Sequence, residues 1–179
     1  MVVYMECEKN SMRPIIAVDV DGVLSPVCPI GELPEPEFRV WPKKDYVLVK
    51  NIAFIKPVLT MLNNLDESGE ADVIFHTSWG PEIYETLNVN WDMIPEYETR
   101  YSIEGWWKKD LVLRLIDAYK RPVIWIDDDI SDALDNGELH GLTEEQKKLL
   151  SIISPHTFEG LKPEDLESIT KLVKQIKER

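Results

Sequence analysis

The chain is poor in cysteine. Cys7 and Cys28 are its only two thiols, which make neither a disulfide framework nor a metal-binding cysteine pair and point to a reducing interior. Long apolar runs are also missing. None reaches the roughly 18–20 residues that would span a bilayer, so no membrane segment is expected. The opening "MVVYMECEKNSMRP" has no basic start followed by a long apolar core, so it does not read as a signal peptide. The expectation is a soluble, cytoplasmic protein. Positive charge is scarce too: 20 Lys and Arg stand against 33 Asp and Glu, for a net charge of -13. A general grip on nucleic-acid backbone needs a basic face, which this balance excludes while leaving a local patch possible. Repeats and low-complexity tracts are absent.

What the chain does have is apolar material in short, spaced blocks, enough for one domain spanning residues 1–179. Residues 1–13 read as a ragged lead-in. Ile15–Val20, "DVIFHT", "PVIWID" and "SIIS" read as strands, with a brief further strand in the 90s. Helical spacing runs through 52–66, with Pro57 in the first turn and Gly69 as the stop. It recurs through 81–88, 107–120 and a C-terminal helix from "KPED" that buries Leu166, Ile169, Val173 and Ile176. "GLTEEQKKLL" reads as a capped surface helix. Residues 25–50, rich in proline, read as a flap or small hairpin in which "EFRVW" and "DYVLVKN" supply the alternation. Strands that alternate with helices predict a central parallel sheet covered on both faces: a Rossmann-like, three-layer α/β/α fold.

In such sheets ligands bind beyond the carboxyl ends of the strands. At those ends lie Asp19 and Asp21 after the first strand, then Thr77 and Ser78. Lys108 and Lys109 open a helix, and Asp127, Asp128 and Asp129 end a later strand. Carboxylates with no cysteine or histidine cluster favour a hard cation, magnesium above all. A lysine and a hydroxyl then complete a phosphate cradle. A carboxylate beside it can attack phosphorus while a second one moves the protons. The spacing of two sets Asp19 and Asp21 on one side, with Gly22 permitting the turn that follows.

The order D-x-D-G in "VDVDGVL", a strand-end Thr, a Lys at a helix start and a strand ending in Asp-Asp resembles the haloacid-dehalogenase-like (HAD) phosphohydrolases over residues 15–132. "HTSWG", "WWK", "VIWIDDD" and "FEGLKPEDL" resemble more narrowly the HAD domain described in Swiss Army Knife RNA repair proteins. The resemblance implies a HAD-like fold and a magnesium-dependent phosphatase acting on a phosphate monoester. Asp19 would be the nucleophile and Asp21 the general acid and base, its carbonyl also helping to bind metal. Thr77 would hold a phosphoryl oxygen, with Ser78 its rival. Lys108, preferred over Lys109, would balance charge. Asp127, with Asp128 beside it, would hold magnesium, and Asp132 is a further acid at a family spacing. The short segments around Thr77 imply a minimal cap or none.

Other readings compete. A catalytically silent HAD-like module that only binds a phospholigand would carry the same groups. A response-regulator receiver uses similar ones, but in another chain order. Trp79, after the Thr-Ser pair, is the best stacking candidate for a substrate; Gly22, Ser78 and Lys109 complete the expected substrate contacts. Trp125 reads as core and His76 as a packed residue. Trp41, Lys43 and Lys44 read as a solvated hairpin. The subgroup resemblance implies a nucleotide or a nucleic-acid end as substrate, whereas the acidity of the chain favours a small phosphorylated metabolite or mononucleotide.

Overall fold

The computed structural model describes residues 13–80, 82–93 and 106–178. The predicted lead-in lies outside the described residues, apart from Arg13. Strand β1 (Ile15–Val18) is buried at every position. It pairs in parallel with β4 (Asp72–Phe75) on one side and β6 (Val123–Ile126) on the other. The two-residue β5 (Asp92–Met93) and β7 (Leu150–Ile153) form the edges, also parallel, giving the order β5-β4-β1-β6-β7.

Strand alternation sorts the apolar side chains into two cores. Ile16, Val18, Phe75 and Ile126 pack with Val58 and Leu62 of α1 (Lys56–Glu67) and with Ile169 and Val173 of α6 (Pro163–Lys177). Ile15, Ala17, Val123 and Trp125 pack on the other face with Leu111, Val112 and Ile116 of α3 (Trp107–Tyr119). The result is an α/β fold with a parallel sheet between helix layers, Rossmann-like in arrangement. The chain goes from β1 to β4 and β5 on one side, then returns past β1 to β6 and β7. That reversal opens a crevice at the carboxyl end of β1. Among the described residues no helix is long and apolar enough to cross a membrane.

The hairpin differs from its sequence reading. β2 (Tyr46–Val49) pairs antiparallel not with "EFRVW" but with β3 (Ile52–Ile55), and Pro36–Phe38 forms a single 3-10 turn instead. The turn residues Lys50 and Asn51 both have positive φ, 49° and 64°, the backbone that lets a two-residue turn match strand twist. Helix α1 therefore begins at Lys56 rather than at residue 52. Periodicity could not separate these states, because Ile52–Ile55 is a short apolar run that reads equally as strand or helix. Three short helices fill connections: α2 (Glu82–Leu87), α4 (Ile130–Asp135), which the sequence reading lacks, and α5 (Glu144–Leu149). The capping box of Thr143 and Gln146 starts α5 as expected.

Candidate active site

β1 ends at Val18, but the Asp19 N–H still donates to the Ile126 carbonyl at 3.0 Å. Asp19 is thereby held between the ends of β4 and β6. The chain then coils tightly: the N–H groups of Val23, Leu24 and Ser25 all donate to the Val20 carbonyl. This coil lifts Asp21 into an exposed position above the strand end. Gly22 follows at φ 70°. A Cβ there would lie 2.1 Å from Asp128 Oδ2, so the missing side chain is what lets the Asp128 carboxylate close on the coil.

Asp19 is only 5 % exposed. Lys108 Nζ donates to its Oδ2 at 2.8 Å, and the Thr77 side chain and the Val20 backbone also bond to its carboxylate. Lys108, in the first turn of α3, is itself 6 % exposed. Its ammonium lies 3.5 Å from Asp129 Oδ2 and 2.9 Å from Asp127 Oδ2. Asp127 Oδ2 is sealed from water and pairs with this ammonium. Asp127 Oδ1 accepts from the Asp129 N–H at 3.1 Å. Asp128, half-buried, bonds the side chain of Thr157. One carboxylate oxygen each from Asp19, Asp127 and Asp128 lie within 4.8 Å of one another.

Two buried carboxylates, Asp19 and Asp127, and the exposed Asp129 share one ammonium. Burial, together with the Asp19 charge, pushes Asp127 up to about 7. Burial also raises Asp19, against the opposing pull of Lys108. Burial disfavours the Lys108 ammonium as well, but Asp19 and Asp127 outweigh it and hold the group well above the ordinary lysine value. The cluster carries more negative charge than Lys108 neutralises. An all-oxygen donor set with this excess of negative charge fits a hard divalent cation.

The other expected residues divide: some border this centre, and Lys109, expected at the substrate, does not. The Trp79 indole N–H donates to Asp21 Oδ2 at 2.8 Å, so Trp79 orients the second acid. Asp21 keeps its carboxylate outside the three-acid group. Ser78 is exposed beside Thr77. Lys109 turns away and donates to the Glu138 carbonyl at 2.9 Å. Asp132 is exposed on α4, outside the acid group. His76 is fully buried, its ring edge-on to Trp107 and Trp125 at 5.7 and 5.8 Å, and burial followed by the Lys108 charge lowers it to about 3. Trp41 donates to the Leu161 carbonyl at 2.7 Å and packs on the core rather than lying free in solvent. Thr157, which the sequence reading lacks, arrives on the loop after β7; nothing near it in the chain signals a partner for Asp128.

Gly22→Ala tests the closeness of this packing. A Cβ at positive φ costs roughly 1–2 kcal/mol by itself, and Asp128 must also withdraw. The expected outcome is a melting temperature lowered by several degrees, read from thermal melts.

Compared with protein-family models, with curated proteins and with solved structures, the chain matches none.

Proposed function

We propose that this chain is a magnesium-dependent phosphohydrolase of HAD type that cleaves a phosphate monoester through an aspartyl-phosphate intermediate. The observation that carries the reading is the Asp19 carboxylate, buried at the strand end between the Lys108 ammonium and the Thr77 hydroxyl, with two further acids beside it. Such a carboxylate is pre-oriented and surrounded by groups that hold phosphoryl oxygens.

Asp19 attacks phosphorus. The bond from phosphorus to the leaving oxygen breaks, and Asp21 gives that oxygen its proton. Asp21 then takes a proton from a water molecule, which attacks the phosphoryl group and frees Asp19 and inorganic phosphate. Thr77 and Lys108 hold the phosphoryl oxygens and offset charge as it builds in the transition state. Asp19, Asp127 and Asp128, with the Asp21 carbonyl, would hold a magnesium ion, whose positive charge would offset the repulsion between carboxylate and phosphate. The segment between β1 and β4 holds two 3-10 turns, the hairpin and α1, which supports a minimal cap and an open site. The substrate class spans small phosphorylated metabolites, nucleotides and nucleic-acid ends.

The test is release of phosphate from p-nitrophenyl phosphate, nucleoside monophosphates, sugar phosphates and end-phosphorylated oligonucleotides. Turnover that needs magnesium and stops with a chelator is the expected result. Silence across the panel, with phosphate still bound, would identify a HAD-like phospholigand-binding module instead.

A further inference from the structure

Beside Asp21 runs a groove that the steps above leave unused. Its volume is about 330 Å³, and Asp21 itself forms part of its wall. The rest comes from the loop Ser25–Ile30 and from Asn51, Ile52 and Ala53 of the hairpin. The Gly31 N–H, donating to the Asn51 carbonyl at 2.6 Å, ties loop to hairpin. A larger hollow of about 590 Å³ lies at α1 and shares no residue with the acids.

The groove has a definite chemistry. Among the described residues neither lysine nor arginine lines it, and most of its lining is apolar. Two of its wall residues are large hydrophobics left in water, Val27 at 44 % and Ile30 at 83 % exposure. The volume falls in the range of small-molecule sites, roughly 300–1,000 Å³. The occupant follows from Asp21. The oxygen that receives the Asp21 proton stays bonded to its own carbon skeleton, so that skeleton lies next to Asp21, where the groove begins. A negatively charged skeleton would meet the Asp21 carboxylate with no cation among the described wall residues to balance it.

We infer that this groove is the leaving-group subsite, and that the substrate is the phosphate ester of a neutral, largely apolar alcohol rather than of a second anion. The inference rests on the phosphohydrolase reading and names its substrate class. Polyanionic esters, oligonucleotide ends among them, are poor substrates.

The experiment compares esters whose alcohols have similar acidity: ethyl, phenethyl and carboxybutyl phosphate. The expected result is that kcat/KM rises at least about 10-fold from ethyl to phenethyl, as apolar pocket contacts allow, and does not rise for carboxybutyl. Ile30→Asp should bring the phenethyl-to-ethyl ratio close to one; Ile30 is exposed, so the fold tolerates the change, and the ratio cancels any loss in chemistry. A flat series, or preference for the carboxylate ester or for a phosphorylated oligonucleotide, overturns the proposal. A second readout does not need turnover. Cys28 lines the same groove, so phenylpropylphosphonate should slow its alkylation by N-ethylmaleimide, followed on the Cys28 peptide by mass spectrometry, while methylphosphonate should not. Protection without hydrolysis of any ester retains the subsite and removes the hydrolase reading. Absence of protection removes the subsite.

Discussion

Asp19→Asn is expected to lower phosphate release at least about 1,000-fold while the protein stays folded, because removing a nucleophile takes away the covalent route altogether. The amide cannot form the aspartyl phosphate. It also takes one negative charge out of a buried cluster that already has too many, so the folded state has little to lose. Asp21→Asn should fail differently. With a good leaving group such as p-nitrophenolate the first step needs little acid, so nitrophenol appears in a burst about equal to the enzyme, and the phosphorylated protein then accumulates because no base activates water. Mass spectrometry of the quenched reaction reads this directly: a phosphate adduct on Asp19 in the Asp21 variant and none in the Asp19 variant. Full activity of Asp19→Asn would end the proposed mechanism.

The second large effect is on stability. Asp127 sits at about 7 in the folded chain against an ordinary value of 3.8, mainly through burial. Folding therefore favours its protonated form. The contribution is fully present below the ordinary value and is lost as pH rises through 7. For a shift of this size the linked free energy is on the order of 2–4 kcal/mol. Other carboxylates, Asp72 with its buried Arg121 pair among them, change stability with pH in their own ways, so the useful quantity is a difference. Asp127→Asn cannot titrate. Its stability relative to the natural chain should rise by those few kcal/mol between about pH 4 and 7 and then level. The slope is informative even though the new amide faces Lys108 and adds a constant offset. Magnesium should act in the opposite sense. Competing with the proton at Asp127, it should stabilise the natural chain most above neutrality, by about 2.7 kcal/mol at a free concentration 100 times its Kd. That corresponds to roughly 5–10 °C in melting temperature. The variant should lose most of that gain. Urea melts across pH, with and without magnesium, check both, and a difference curve that stays flat from pH 4 to 7 would mean that Asp127 is not a buried, charge-crowded acid.

The central elements of the sheet and of the acid cluster were legible in the chain because each depends on local pattern. Ile15–Val18 is a short apolar block, α3 keeps its stripe of Leu111, Val112 and Ile116, and acids, hydroxyl and lysine stand at block ends where parallel sheets place ligands. Only one arm of the hairpin was legible, "DYVLVKN" supplying β2 while its partner strand was not. Phe54 and Ile55 fit a helix as well as a strand until Tyr46–Val49 lies opposite them. Trp79 shows the same limit: its place after Thr77 and Ser78 was legible, the bond from its N–H to Asp21 was not.

Residue types and their order along the chain, by themselves, determined an acidic α/β protein with strand-end carboxylates, since hydrophobic period and strand alternation act over a few residues. Only the tertiary structure decided which of two adjacent lysines enters the cluster. One helix position separates their side chains by roughly 100°, sending Lys108 to Asp19 and Lys109 to Glu138. It also decided that Asp128 closes over Gly22, that Thr157 reaches Asp128, and that a groove with no cation among its described wall residues begins at Asp21. Those depend on distances between segments far apart in sequence, which no local pattern encodes.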